Sequence, residues 1–399
     1  MSRSIENETW FVLGSFPELS AAEISAVLSL DERSFVYKPP FLIIYGNTAD
    51  NDSLMLRLGG TVKIAKGLFT AETEAVLIKK ICANLANNSG KITFGISNYY
   101  KEGNTAKFSE QLGKEIKKNL KQQGLSVRYV FNSDPILSSV TVSKNGLTGR
   151  GKEFIISKDE EKFFVAATVA VQPYEDWGSR DFGRPERDDV SGMLPPKLAR
   201  IMLNLSQADE NDAVLDPFCG SGTIITEALT IGMNKIIGSD SSEKAINDTR
   251  SNIDWLISRN KNLQKSKVDL FSSDITDLTR RLEPDSIDAI ITEPYLGKPL
   301  HGTETVAELK KQAIELSTLY RMAFVTFKKI VKKNGRVVII FPRFRYNNEW
   351  ITINILDSLK ILGFTPETLI KIGNRTVDSL PYSRPNQKVG REIWRFKKN

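Results

Sequence analysis

The sequence predicts an α/β protein, with a doubly wound parallel-sheet domain in its second half and small α+β units ahead of it. Three observations carry that expectation. From Asn204 onward, short apolar runs alternate with helix-length amphipathic segments, the order that writes a parallel sheet with crossover helices. A glycine turn, Asp216-Pro217-Phe218-Cys219-Gly220-Ser221-Gly222-Thr223, joins one such run to the helix after it. The first half instead interleaves short strand-like runs with a few helices. A chain of 399 residues has room for about two to three domains of roughly 100–200 residues each.

In the first half, Trp10–Leu13, Phe41–Tyr45 and Lys91–Ile96 read as strands. Lys107–Gln123 reads as a helix because Phe108, Leu112, Ile116 and Leu120 recur along one stripe, while Lys114, Lys117, Lys118 and Lys121 point elsewhere. That basic face is either solvated or a nucleic-acid contact. Gln172–Pro196 is rich in Gly, Pro, Arg and Asp without periodicity and reads as a linker. Its Arg180, Arg184 and Arg187 alternate with Asp181, Glu186, Asp188 and Asp189, so the charges balance and no RNA role is assigned.

In the second half, Ala213–Asp216, Lys235–Asp240, Val268–Ser272, Ile287–Thr292 and Arg336–Phe341 read as strands. Ile224–Ile231 follows the glycine turn as a helix, and Ser242–Leu256 is a second, capped by Ser241 or Ser242 with Ala245, Ile246, Thr249 and Ile253 on one face. Glu304–Lys333 reads as a long helix ending at an Asn334-Gly335 cap. The last apolar runs, Leu369–Ile372 and Glu392–Phe396, are expected to form a closing antiparallel pair.

Composition excludes several chemistries. The one histidine, His301, cannot build a multi-His metal site, and Cys82 and Cys219 make neither a CxxC nor a zinc spacing. No metal site is expected. The net charge of +7 and pI near 9.1 tilt the chain toward a polyanion partner. The start, Met1-Ser2-Arg3-Ser4, lacks the apolar core of a signal peptide, and the longest apolar stretch, Phe163 to Val171, falls far short of the ~20 residues of a membrane helix. A soluble, cytoplasmic protein with no membrane partner is the expectation.

The glycine turn sits where the carboxyl edge of a parallel sheet binds ligands. A dinucleotide fingerprint would want a third small residue where Ile225 stands. The second strand ends in Asp240, placed as an acid that hydrogen-bonds a ribose, and the third leads to Ser273-Asp274, suited to an adenine edge. These residues resemble class I S-adenosylmethionine-dependent methyltransferases, specifically the branch that methylates exocyclic amines of nucleobases. The resemblance implies a Rossmann-like domain over 197–399 and S-adenosylmethionine as cofactor. It implies a cofactor set of Asp216, Phe218, Gly220, Gly222 and Thr223, then Asp240 on the ribose hydroxyls, then Asp274 with Ile275 at the adenine. Cys219 is a small loop residue in that pattern.

The fourth strand leads into Thr292-Glu293-Pro294-Tyr295-Leu296-Gly297, where that branch carries Asp/Asn-Pro-Pro-Tyr/Phe. An exocyclic amine is a poor nucleophile because its lone pair is delocalised into the ring. A carboxylate and a backbone carbonyl that accept its N–H bonds localise that pair and aim it at the sulfonium methyl. The resemblance makes Glu293 and the Pro294 carbonyl the acceptors and Tyr295 the stacking platform. Two departures keep alternatives open. Glu293 is longer than the usual acid by one bond of roughly 1.5 Å and could be structural, and the aromatic comes one place early, so Tyr295 could pack into the loop or core. No Cys near this loop supplies the nucleophile of a cytosine-C5 enzyme.

The first half adds a second resemblance. Phe11-Val-Leu-Gly-Ser-Phe-Pro-Glu-Leu-Ser-Ala-Ala-Glu-Ile24 and Arg57-Leu-Gly-Gly-Thr-Val-Lys63 resemble the opening of the tRNA guanine-N2 methyltransferases of the archaeal and eukaryotic position-10 type. Gly192-Met-Leu-Pro-Pro-Lys-Leu-Ala-Arg-Ile-Met-Leu-Asn-Leu205 is similar to the helix before that family's cofactor loop. Leu380-Pro-Tyr-Ser-Arg384 and Gln387-Lys-Val-Gly-Arg-Glu-Ile-Trp394 are similar to its closing β-hairpin. This implies a ferredoxin-like α+β domain over 1–70, a THUMP-like RNA-binding domain over 71–171, and the linker over 172–196. The implied function is methylation of guanine N2 in tRNA. Arg343, Arg345, Lys388 and Arg391 read either as backbone contacts around the cleft or as solvated surface charges. His301, a few residues past the fourth strand, either approaches the base or is a loop histidine without function. A DNA or ribosomal RNA amino-methyltransferase, or an RNA-binding protein whose methyltransferase domain no longer turns over, are the alternatives, and a small activator subunit stays open.

Overall fold

The computed structural model describes residues 4–46, 48, 50–87, 90–100, 105–187, 193–260, 263, 266–385 and 387–399. The expectations placed on Met1, Ser2, Arg3, Asp188, Asp189 and Gly192 lie outside them. The chain divides into two units, Met1–Pro17 with Arg33–Arg57 and Thr61–Glu175, and Glu18–Glu32 with Leu58–Gly60 and Asp176–Asn399. Among the described residues, no helix is long and apolar enough to cross a membrane.

In the first unit the strands are β1 (Glu8–Leu13), β2 (Phe35–Lys38), β3 (Phe41–Tyr45), β4 (Thr61–Ala71), β5 (Ile92–Asn98), β6 (Val127–Val130), β7 (Lys152–Lys158) and β8 (Phe163–Val171). They form one sheet in the order β2-β3-β1-β4-β8-β7-β5-β6. The segments 1–70 and 71–171 therefore share a sheet, joined where β4 pairs with β8. The basic helix forms over Thr105–Gln122. Leu112, Ile116 and Leu120 on its stripe are fully buried, each worth about 1.5–3 kcal/mol on leaving water. Lys114, Lys118 and Lys121 are exposed.

In the second unit, α1 (Pro17–Leu28) groups with α7 (Pro196–Ser206). The reason is one buried acid: Glu23 accepts from Gly59 N and Gly60 N at 2.7 and 2.8 Å and from Asn204 Nδ2 at 2.7 Å. Gly59 has to be glycine, since a Cβ there would stand 2.5 Å from the Lys197 carbonyl. Part of the expected linker is ordered as α6 (Tyr174–Phe182), with Trp177 and Arg180 buried. Arg180 pairs with Glu227 and lies 4.3 Å above the Trp177 ring. The sequence showed a balanced charge run because the partner lies far along the chain.

The sheet of this unit runs β11 (Lys267–Ser272), β10 (Lys235–Asp240), β9 (Ala213–Asp216), β12 (Ile287–Thr292), β13 (Val331–Tyr346), β19 (Val389–Lys398), β15 (Phe364–Pro366). Strands β9 to β13 are parallel and β19 runs antiparallel. After β9 comes α8 (Thr223–Thr230), after β10 comes α9 (Glu243–Arg259), capped by the Ser242 side chain. Helix α10 (Val306–Ile330) starts at a capping box of Thr305 with Glu308.

Two expectations need correction here. The long helix stops at Ile330, because the fully buried Val331 already pairs with β12. Asn334, at φ +65°, marks the irregularity where β13 shifts register instead of a helix cap. Leu369–Ile372 and Glu392–Phe396 do not pair with each other. Ile370–Ile372 pairs with Arg375–Val377, whereas β19 is enclosed by β13, β15 and β18 (Ser379–Tyr382). Alternating apolar residues show that a strand is half buried but not which strand covers it. The hairpin of β18 and β19 matches the expectation for the closing segment.

Candidate active site

Because β9, β10, β11 and β12 are parallel, their carboxyl ends share one edge of the sheet. The chain reverses direction across the sheet at β9, flanked by β10 and β12, and such a switch point leaves a crevice for a ligand. Onto this edge the fold delivers Asp216 from β9, Asp240 from β10, Asp274 just after β11 and Glu293 just after β12.

The glycine turn is built by its backbone. Gly220 (φ +53°) and Gly222 (φ +81°) adopt left-handed conformations that favour glycine. Their surroundings differ. A Cβ on Gly222 would stand 2.6 Å from Thr249, whereas nothing lies within 4 Å of a Cβ on Gly220. The open side of the turn is therefore at Gly220. Asp240, half-buried, holds the turn by accepting from Gly220 N at 3.0 Å with one oxygen and from Ser242 N at 2.9 Å with the other. From α9, Thr249 Oγ1 donates to the Gly220 carbonyl at 2.8 Å and Asn252 Nδ2 to the Ser221 carbonyl at 2.8 Å. Thr223 opens α8 and accepts from Arg184 Nη1 at 2.6 Å. Phe218 is half-buried against the sheet core. Asp274 is exposed and caps the turn Ile275–Arg280 through Thr276, whose hydrogen bonds hold its carboxyl below the usual range, and Ile275 is buried. Burial pushes the Cys219 thiol well up, which leaves it inert.

Asp216 is 3% exposed and accepts from Thr292 Oγ1 at 2.7 Å and Phe218 N at 3.2 Å. Burial pushes its carboxyl up to about 7, with the Asp240 and Glu293 carboxylates adding to the rise and the two hydrogen bonds opposing it. The folded protein thus holds a proton that the unfolded chain has released above about pH 4. Stability from this group is present at low pH and lost as pH rises toward 7. Asp216→Asn keeps an oxygen acceptor for Thr292 and Phe218 without the charge. Its melting temperature is expected to overtake the parent's increasingly between pH 5 and 8, and a pH-independent difference would show that Asp216 is not the titrating group.

Glu293 and Tyr295 flank the buried Pro294. Tyr295 is 56% exposed, so it is not a core residue, and its carbonyl accepts from the buried Tyr320 hydroxyl at 2.7 Å. Glu293 is gripped by Arg391 from β19. Arg391 is therefore buried against Glu293 and does not serve as the surface contact expected of it, whereas Arg343 is half-buried and Arg345 and Lys388 are exposed. Arg343 lies over the Trp350 ring at 4.7 Å, Arg345 donates to the Pro385 carbonyl, and Lys388 Nζ donates to the His301 carbonyl at 2.7 Å. His301 is exposed in the loop after β12, its N–H donating to Glu304.

Sequence reasoning missed Thr249 as a loop-holding residue by counting it among the apolar face of α9. It missed Asn252, Thr292, Tyr320 and Arg184. A polar residue buried on an otherwise apolar helix face, as Asn252 is, is the one signal that could have exposed part of this set.

Residues 184–350 match the UPF0020 family, described as an RMKL-like methyltransferase domain. The chain is 32% identical over 189 residues to the tRNA (guanine(10)-N2)-dimethyltransferase of Methanocaldococcus jannaschii, covering 46% of this chain and 47% of that protein. It is 37% identical over 139 residues to the enzyme of the same name from Methanothermobacter thermautotrophicus, covering 34% and 37%. The matches thus span about half or less of these curated relatives. A third relative, the "probable tRNA (guanine(10)-N2)-dimethyltransferase" of Methanothermococcus thermolithotrophicus, is 33% identical over 150 residues, 37% of this chain and 80% of that protein. Among solved structures, TrmN from Thermus thermophilus shares the fold at a TM-score of 0.54 and 16% identity, covering 98% of this chain and 99% of that one. SMU.472, solved in complex with SAH, gives 0.52 at 15% identity, covering 100% and 99%. With a class I methyltransferase sheet, a glycine turn at its switch point and a relative matched over most of its length, the chain belongs to the family of the tRNA (guanine(10)-N2)-dimethyltransferases.

Proposed function

We propose that this protein uses S-adenosylmethionine to methylate an exocyclic base amine in RNA, with guanine N2 of tRNA as the substrate. The observation that carries the reading is the convergence of Asp240, the open side of Gly220 and the Glu293-Pro294-Tyr295 strand end on one edge of the sheet. The donor and acceptor set suits the cofactor. The Gly220 backbone admits close approach, Asp240 accepts from ribose hydroxyls, Asp274 accepts from an adenine amine, and Phe218, Thr223 and Ile275 complete the walls. When bound, the cofactor supplies a methyl group made electrophilic by its sulfonium.

Glu293 and the Pro294 carbonyl accept the two N–H bonds of the substrate amine, which localises its lone pair and aims it. The ring of the exposed Tyr295 stacks on the base. The amine's proton leaves once the new bond makes the nitrogen acidic. The first unit, read as the ferredoxin-like and THUMP-like part, holds RNA phosphates with surfaces such as the exposed lysines of the Thr105–Gln122 helix, while the catalytic unit receives one extruded or unpaired base. A cytoplasmic location belongs to the same reading.

Incubating the protein with labelled cofactor and bulk unmodified tRNA, then digesting to nucleosides, is expected to put label in N2-methylguanosine or its dimethyl form. Label only in another nucleoside, or RNA binding without any label transfer, would overturn the assignment.

A further inference from the structure

Arg391 lies on β19 opposite Pro342 of β13 and Tyr382 of β18. From there its guanidinium meets the end of β12 as a fork. Nε donates to Glu293 Oε1 at 2.5 Å and Nη2 to Oε2 at 3.1 Å, with the Met193 carbonyl 3.4 Å from Nη2. The two side chains are 9% and 12% exposed, so water screens the pair little and its geometry is held by packing on both sides.

A carboxylate has about four lone-pair sites. A two-pronged guanidinium takes one on each oxygen, fixes the plane of the group, and leaves one on each for another donor. Glu293 needs such fixing. It carries one more rotatable bond than the Asp or Asn of the motif it resembles, and a misplacement of about 1 Å at a reacting group can lower a rate about 100-fold.

We propose that Arg391 is a positioning residue whose fork sets the Glu293 carboxylate for the substrate amine, so that Glu293 and Arg391 together do what a shorter acid or amide does alone. The inference rests on the amine-methylation reading above. It accounts for the long acid in this motif, and for an arginine with its charge turned inward at a site that receives a polyanion.

The test is a mutant cycle on kcat and KM for unmodified tRNA, with cofactor Kd by calorimetry and melting temperature as controls for folding. Arg391→Gln is expected to lower kcat about 10- to 100-fold, with the KM for RNA and the cofactor Kd within about threefold. Arg391→Lys, with one prong, recovers part of the loss. In a Glu293→Gln background the same Arg391→Gln change costs less than about threefold, because the group it positions is already altered. Glu293→Asp, although it restores the usual acid, loses at least about 10-fold because it no longer reaches the fork. Equal losses in both backgrounds, a raised KM for RNA at unchanged kcat, or a fully active Glu293→Asp would each overturn the proposal while leaving the function standing. A parent protein that binds cofactor yet methylates no tRNA would remove the function and this proposal with it.

Discussion

Glu293→Ala is expected to lower kcat for tRNA methylation by roughly 10²–10³-fold, the scale on which removing one preorganised hydrogen-bonding group slows an electrostatically catalysed step. The cofactor Kd should stay within about threefold, because the proposed cofactor contacts are on the β9, β10 and β11 ends. The split between the two readouts follows from the layout: Glu293 leaves β12, whereas Asp240 holds the Gly220 turn. Alanine also strands the buried Arg391, so Glu293→Gln is the companion variant. It keeps the side-chain length and one oxygen acceptor and should lose less stability. Single-turnover rates with both variants, beside calorimetric titration, separate lost chemistry from lost folding. Full activity in Glu293→Ala would show that the amine is accepted elsewhere and leave Glu293 a purely structural partner of Arg391.

The largest expected effect on stability is at Glu227, far from any reacting atom. This side chain on α8 is fully buried, with one oxygen 2.7 Å from Arg180 Nε and the other 2.7 Å from Arg200 Nη2. Arg200 also donates to Thr230 Oγ1, and both guanidinium groups lie against Trp177. Glu227→Ala leaves two arginines, 6% and 2% exposed, without the carboxylate between them. Breaking a buried ion pair from one side costs about 3–5 kcal/mol, which is a large share of a domain's stability of about 5–15 kcal/mol. Urea unfolding should show that loss as a lowered midpoint at unchanged slope. Replacing Arg180, Arg200 and Glu227 together by methionine should recover much of it, since no charge is then left unpaired in the interior. A loss below about 1 kcal/mol in Glu227→Ala would mean that water or Asp176, which also pairs with Arg180, takes over the charge.

The sequence was legible where function follows from local order. Strand ends at Asp216, Asp240 and Thr292 match those read from the apolar runs, because a buried parallel strand is a short apolar run stopped by a polar residue. The helix cap at Ser242 could be read for the same local reason. The end of α10 could not. Lys328, Lys329, Lys332 and Lys333 continue a helical pattern in sequence, but Val331 has a place in the sheet next to Ile287, and that burial outweighs propensity.

By itself the sequence determined the class of site: parallel strands must present their carboxyl ends together, so the glycine turn and the acids after β9, β10, β11 and β12 had to share one edge. Only the tertiary structure decided what holds Glu293 at that edge and Glu227 in the interior. Arg391 lies 98 residues from Glu293, and Arg180 and Arg200 lie 47 and 27 residues from Glu227. Charge pairing at such separations leaves no periodicity, because a guanidinium that will be buried against a carboxylate and one that will sit in water are the same letter until packing removes the solvent around one of them.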